Sequence, residues 1–78
     1  MELKKIDNDY YATWEKQGNN RNGNPIFIVN IFQKLSDDNF WNVNIKTGAR
    51  LDKYDNIKLS SYNIEDSIRN LIQIIKEK

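Results

Sequence analysis

The chain has 78 residues, with twelve Lys and Arg against eleven Asp and Glu and a formal net charge of +1. This length predicts a single domain, residues 1–78, whose small core leaves few apolar side chains to line a deep ligand cavity. Neither cysteine nor histidine is present, which excludes disulfides, thiolate nucleophiles and ordinary zinc sites and removes the commonest general base.

The first nine residues predict a loose segment or a short edge strand. Leu3 and Ile6 are its apolar anchors, and the cluster Asp7-Asn8-Asp9 favours a turn. A calcium loop could begin at this cluster, but the later oxygen ligands and the glycine that such a loop needs do not follow. We expect neither a metal nor a cofactor.

Residues 10–17 alternate with the period of a β-strand and predict the first long strand. The polar residues 18–24 follow, and Asn22-Gly23 is typical of a two-residue type I′ turn in an antiparallel hairpin. Arg21 is the one cation of this loop. The loop is therefore either a solvated connector or an exposed finger that contacts a phosphate or an acidic partner.

Residues 25–35 are the most apolar run before the C-terminus and predict the central strand of a small sheet. Ile28 and Phe32 point to one face of this strand, and Val29 and Ile31 point to the other. Both faces need cover, which suits a strand with a neighbour on either side.

After a polar break, the alternation of residues 40–46 predicts a further strand. If Leu35 pairs with Phe40 across the turn, Phe32 falls opposite Val43. The best core face then comprises Ile28, Phe32, Trp41, Val43 and Ile45. The opposite face of this strand carries Asn42, Asn44 and Lys46.

The register of the first strand remains open at this stage. A hairpin centred on Asn22-Gly23 puts Trp14 opposite Ile31, on the face just described as outer. A bulge or a wider loop would move Trp14, because a slip of one residue inverts a strand.

The C-terminal part predicts a turn, a last strand and a helix. Lys46-Thr47-Gly48 favours the turn, Ile57-Lys58-Leu59 predicts the strand, and residues 52–56 a loop between them. Asn63 is the expected N-cap of the helix. The apolar stripe of this helix consists of Ile64, Ile68, Leu71, Ile72 and Ile75. The expected fold class is α+β, an antiparallel meander of three to four strands packed on one C-terminal α-helix.

One helix covers one face of such a sheet, so the other face is the candidate binding surface. Loops, the N-terminus or a second copy of the chain could also cover it, the last as a homodimer through the open sheet face. The predicted partner-binding residues are Tyr11, Arg21, Asn42, Asn44, Lys46 and Tyr54.

Catalysis is not expected. The paired carboxylates lie in predicted turns or at the helix start, where they serve local hydrogen bonding and the helix dipole. Ser60 and Ser61 have no histidine to activate them. The chain also has no apolar run near the ~20 residues that span a bilayer and no signal-peptide pattern, so we expect a cytoplasmic protein that does not bind membranes.

Two functions remain. The first is a protein-binding module, and the second is a DNA-binding module that lays its sheet in a groove. The order of strands and helix from Tyr10 to Lys76 resembles the arm-binding domains of phage and transposon integrases, which implies DNA reading by a three-stranded sheet. Asn42 and Asn44 could pair with adenine edges. The basic residues that could form one patch are Arg21, Lys34, Lys46, Arg50 and Lys53.

Composition adds a resemblance of another kind. Asn, Ile and Lys make up 32 of the 78 residues, a bias that follows AT-rich coding. A compact domain without cofactor chemistry and with this bias is similar to small accessory proteins of phages and mobile elements. That resemblance implies an inhibitor of host defence, such as an anti-CRISPR protein, which acts by occupying a nuclease.

Overall fold

The computed structural model describes residues 3–51 and 56–77. Among them, five strands form one antiparallel sheet and one α-helix packs against it, which confirms the predicted α+β class. The elements are β1 (Lys4–Lys5), β2 (Tyr10–Asn19), β3 (Pro25–Ser36), β4 (Asn39–Asn42), a 3-10 helix (Asn44–Lys46), β5 (Ile57–Ser60) and α1 (Ile64–Glu77). β1 is a short edge strand, which is one of the two alternatives expected for the first nine residues.

β3 is the centre of the sheet, as its apolar sequence predicts. β2 pairs along one edge of β3 for its whole length. The other edge is shared, because β4 lies opposite residues 32–36 and β5 lies opposite residues 26–29. The predicted last strand is therefore confirmed, and it returns to β3 instead of extending the meander beyond β4.

The hydrophobic core lies between α1 and the sheet face that carries Val29 and Ile31, both of which are fully buried. Ile28 and Phe32 lie on the opposite face and are half-buried. The predicted core face of the central strand is therefore wrong. The helix stripe is confirmed, since Ile68, Leu71, Ile72 and Ile75 are its buried residues.

A β-bulge at Leu35 explains why the faces of β4 differ from the prediction. Leu35, which is 60% exposed, is an extra residue of β3, so Phe32 pairs with Asn42 and not with Val43. A slip of one residue inverts a strand. Phe40 and Asn42 therefore share the face of Phe32, and the predicted pairing of Leu35 with Phe40 is wrong.

A second bulge, at Gln17 of β2, sets the register of the first hairpin. The loop of residues 20–24 shifts the expected pairing by one residue and this bulge shifts it by a second, so Trp14 lies opposite Val29 instead of Ile31. Both of these β3 residues point into the core, and Trp14 packs against the buried cluster. The sequence placed Trp14 on the same face as Ile31 and took that face to be the outer one. That face is the inner one, so the position of Trp14 is consistent with the core.

The loop of this hairpin is built around Asn20. Its Oδ1 accepts hydrogen bonds from the backbone N of Asn22 at 2.9 Å and of Asn24 at 3.0 Å. Gly23 N donates to Asn20 O at 3.0 Å, and Gly23 has a φ of 83°. The connection thus spans residues 20–24, and the predicted two-residue turn at Asn22-Gly23 is wrong.

The start of α1 is capped as predicted. Asn63 Oδ1 accepts a hydrogen bond from Asp66 N at 3.4 Å, and Asn63 Nδ2 donates to Asp66 Oδ2 at 2.7 Å. Glu65 and Arg69, one turn apart, add an ion pair at 3.8 Å. In the part of the chain that the structure describes, no helix is long and apolar enough to cross a membrane.

Candidate protein-binding surface

The sheet face opposite α1 is the candidate surface, and we call it the open face. Its residues follow from the strand register, in which Tyr11, Phe32 and Asn42 form one row and Glu15, Ile28 and Lys58 form another. α1 lies on the other side of the sheet, and the residues of the open face are exposed or half-buried except Thr13, which is 7% exposed. The residues of the open face are Lys5, Tyr11, Thr13, Glu15, Ile26, Ile28, Asn30, Phe32, Lys34, Phe40, Asn42, Lys58 and Ser60.

Three aromatic rings form the apolar centre of the open face. Tyr11 and Phe40 meet edge to face, with ring centroids 5.2 Å apart and an interplanar angle of 81°. Phe32 comes from β3, the strand between them, and is half-buried. Phe40 is 36% exposed. Edge-to-face packing is a preferred geometry of aromatic pairs and contributes about 0.5–1.5 kcal/mol beyond the buried area.

Asparagine amides flank these rings and are organised by hydrogen bonds. Asn30 Oδ1 accepts from Asn44 Nδ2 at 2.9 Å and, more weakly, from Asn42 Nδ2 at 3.5 Å. Asn42 Oδ1 accepts from Asn44 N at 2.9 Å. Asn42 remains exposed, so it can still offer its amide to a partner.

Charges of both signs surround the apolar centre. Glu15 and Lys58 lie on either side of Ile28. Lys34 comes from the same face and approaches Asp37 at 3.9 Å. Lys5, opposite Tyr11, adds a third lysine. The open face therefore carries charges of both signs with lysine in excess, as the polar rim of a protein interface can.

The structure brings together two of the predicted binding residues, Tyr11 and Asn42, in one row. Arg21 is exposed in the hairpin loop, at the far end of the sheet from that row. Lys46 lies over the Trp41 ring, 4.3 Å from its centroid, outside the open face. Tyr54 lies outside the described residues.

Asn44 does not occupy the predicted position on the outer face of a strand. The predicted strand 40–46 ends at Asn42, and Asn44 begins the 3-10 helix with its side chain buried. Its Oδ1 accepts a hydrogen bond from Ile31 N at 2.8 Å. The side chain of Asn44 therefore serves the fold, and its position as an exposed binding residue is corrected.

Phe32 and Ile28 belong to the open face although the sequence suggested the core. The alternation of the first strand carried the information needed to place them, because Tyr10, Ala12 and Trp14 share one apolar face. Matching that apolar face with the inner residues of β3 would have turned Phe32 and Ile28 outward.

Comparison with known protein families, curated proteins and solved structures does not indicate a function for this surface. No family model, curated protein or solved structure matches the chain. What the chain binds therefore has to be inferred from its own residues.

The basic residues do not form a single patch. Arg21 precedes β3 and Lys34 lies near its end, which separates them by about 30 Å at ~3.3 Å per residue. Lys46 lies on the other side of the sheet, and Lys53 is outside the described residues. Arg50 and Lys58 line one shallow groove with Asn20.

Acidic groups show no metal-binding arrangement in the described ranges, where no three Asp or Glu side chains converge. Asp7 instead forms an ion pair with Lys76 of α1. The hydrogen bond from Lys76 lowers the pKa of the Asp7 carboxyl below its ordinary value of 3.8. A lowered pKa of this kind belongs to a structural ion pair and not to a general acid.

Proposed function

We propose that this chain is a non-enzymatic protein-binding module that occupies its partner through the open face. The observation that carries the proposal is the aromatic cluster of Tyr11, Phe32 and Phe40 on the sheet face opposite α1. Aromatic residues are enriched at protein interfaces and dominate their binding energy. Cross-strand contacts among these rings stabilise the sheet, and the surface that they leave exposed is the part that a partner covers.

The size and chemistry of the open face suit one protein partner. A standard interface buries about 800 Å² on each side, and the three rings, which are already partly buried in the folded chain, supply to it only the part of their surface that remains exposed. The three rings with Ile28 form the apolar centre of such an interface. Glu15, Lys58 and the asparagine amides supply its polar rim.

The partner class follows from the resemblance in kind to phage and mobile-element accessory proteins. Under that proposal, the open face covers a surface of a host defence nuclease and blocks it stoichiometrically. Such an inhibitor needs rigid contacts and no reactive group. The preformed Tyr11–Phe40 pair meets that need, because little conformational entropy is lost when it binds.

DNA binding through the same face is the alternative. The exposed Asn42 amide favours it, since asparagine pairs with adenine edges. The separation of Arg21 from Lys34 and the carboxylate of Glu15 on the face oppose it, because DNA binding draws most of its affinity from phosphate contacts. Protein binding is therefore the better supported function.

A pair of tyrosine variants tests the proposal. Tyr11→Ala removes a ring from the open face, whereas Tyr62→Ala removes an exposed tyrosine, 81% accessible, from the segment before α1. Immobilised wild-type protein should retain a partner from an extract of the source cells. The amount of partner retained by Tyr11→Ala should be at least ten-fold lower, and the amount retained by Tyr62→Ala should equal that of wild type. Equal retention by both variants would contradict the use of the open face.

Fluorescence anisotropy with labelled duplex and single-stranded DNA distinguishes DNA binding from protein binding. Binding at low salt that weakens steeply as salt is added would indicate several phosphate contacts and favour the DNA-binding function. We expect no such binding at physiological salt.

A further inference from the structure

The two edges of the sheet differ in how they are guarded against pairing with another strand. On one side, β1 consists of Lys4 and Lys5 alone, and the part of β2 beyond it carries Lys16 and the bulge at Gln17. Lysines, very short strands and bulges are the devices by which proteins keep edge strands from pairing. This edge is guarded.

The other side consists of β5 and β4, and the outer side of β5 is covered. Lys58 N donates to Arg50 O at 3.2 Å, and Leu51 bridges to Ile57. β4 has no such neighbour among the residues that the structure describes. Its sequence, Asn-Phe-Trp-Asn, contains no charge and no proline, and all four residues are exposed. β4 is therefore an unguarded edge.

The backbone of β4 offers hydrogen bonds outward at two residues. Val43 N donates to Ile31 O at 3.0 Å, just after β4 ends. Because bonded and non-bonded residues alternate in an antiparallel ladder, Trp41 bonds to β3. The N–H and C=O groups of Phe40 and Asn42 then point away from the sheet. Phe40 is 36% exposed and Trp41 46% exposed, on opposite faces.

We propose that β4 is a dimerisation edge, at which the β4 strand of a second copy of this chain pairs antiparallel. The two-fold axis lies between the Trp41 residues of the two copies. In this register Phe40 of one copy forms a hydrogen-bonded pair with Asn42 of the second copy. The two Trp41 rings then meet in a non-hydrogen-bonded pair, where cross-strand side chains approach most closely. The result is one continuous sheet with both open faces on the same side.

The distribution of charge along β4 selects a second copy as the occupant. Asp37 and Asp38 precede β4, and Lys46 follows it. An antiparallel two-fold contact brings the acidic end of each copy beside the basic end of the other, and it does so twice. Within the described ranges neither Asp38 nor Lys46 makes an ion pair. Lys46 contacts the Trp41 ring of its own chain, and its ammonium can still pair with Asp38 of the second copy.

The dimer does not depend on the proposed function. The contact uses the backbone edge of β4 and the helix side of Trp41, and Tyr11 takes no part in it. The side chains of Phe40 and Asn42 lie on the open face and border both surfaces. A short edge buries less area than a standard interface, so we expect weak association that rises with concentration.

Sedimentation velocity of the wild-type chain over increasing concentration is the first test, with two substitutions at one position. Asn42→Pro and Asn42→Ala both remove the carboxamide, but only proline removes the outward N–H. Proline is tolerated at an edge position whose N–H faces solvent. We expect dimers for wild type and Asn42→Ala, and a monomer for Asn42→Pro at every concentration. A wild-type monomer throughout, or an Asn42→Pro dimer, would overturn the proposal.

Cysteine crosslinking keeps the test decisive if Asn42→Pro fails to fold. The chain has no cysteine, so a single one reports its own contact. Cα atoms of a non-hydrogen-bonded antiparallel pair lie about 4.5 Å apart, within the range of about 4.4–6.8 Å for disulfides. Oxidised Trp41→Cys should form a covalent dimer, and Lys16→Cys, on the guarded edge, should stay monomeric. Equal crosslinking of both variants, or none in Trp41→Cys, would overturn the two-fold at β4.

Discussion

The carboxamide of Asn44 replaces a strand partner for Ile31. Its Oδ1 accepts a hydrogen bond from the backbone N of Ile31 at 2.8 Å, and its Nδ2 donates to Asn30 Oδ1 at 2.9 Å. β4 ends its pairing at Phe32 and β5 ends its pairing at Val29. The side chain of Asn44 thus closes the gap in the ladder between two strands that share one edge of β3.

We expect Asn44→Ala to destabilise the fold by about 1–3 kcal/mol, because it leaves the buried N–H of Ile31 without an acceptor. Urea unfolding at neutral pH measures the loss. Asn70→Ala is the matched control, since Asn70 is exposed on α1 and alanine favours a helix. Equal stability of the two variants would mean that the backbone N–H of Ile31 finds another partner.

The structural role of Asn44 could not be predicted from its residue type or spacing. The chain contains many asparagines, and the period-two pattern of residues 40–46 is what a half-buried strand would have. The chain leaves the sheet at Val43, where burial in the core competes with continued pairing. A tertiary contact of this kind leaves no local signal.

The helix and the open face show what sequence does and does not determine. α1 was predictable because its stripe and its Asn63 cap are local patterns with a period of their own. The inward and outward faces of the sheet were not, because Leu35 is an exposed leucine whose type gives no sign of a bulge. One extra residue then exchanged the faces of β4 and moved Phe40 and Asn42 beside Tyr11.

Substitution of two isoleucines of α1 tests how much the packing of the helix against the sheet stabilises the fold. Ile68 is fully buried, whereas Ile74 is 40% exposed on the same helix. Ile68→Ala should lower the free energy of unfolding by about 2–5 kcal/mol, which could prevent folding of so small a domain. Ile74→Ala should cost less than half as much. Thermal and urea unfolding provide the comparison, and equal effects would contradict the assigned stripe.

Two glycines of the first hairpin, Gly23 in its loop and Gly18 near the end of β2, allow a matched test. Gly23 has a φ of 83°, and a Cβ added there meets no atom within 4 Å, so the strain of Gly23→Ala is purely that of the backbone. We expect a loss of about 1–2 kcal/mol. Gly18 has no such φ and the same open space, so Gly18→Ala should be neutral or stabilise by about 0.4–1 kcal/mol. Similar unfolding midpoints for both variants would contradict the left-handed conformation of Gly23.

The ion pair between Asp7 and Lys76 predicts a dependence of stability on pH. It joins the turn before β2 to the last turn of α1, where Lys76 also lies 5.6 Å from the centroid of the Tyr10 ring. The hydrogen bond from Lys76, helped by that from Asn8 N, lowers the pKa of Asp7 below 3.8 in the folded chain. The unfolded chain therefore takes up the proton more readily than the folded chain does.

The contribution of Asp7 to stability should accordingly be complete above pH 3.8 and disappear as the pH falls through the lowered pKa of the folded state. Asp7→Asn should be less stable than wild type at neutral pH, and the two unfolding curves should converge in strong acid. Asp9→Asn is the control, because Asp9 makes no ion pair in the part of the chain that the structure describes. Since the pair is partly exposed, added salt should reduce the difference at neutral pH. A difference between wild type and Asp7→Asn that stays constant from neutral pH into strong acid would show that the carboxylate charge of Asp7 does not hold the end of α1.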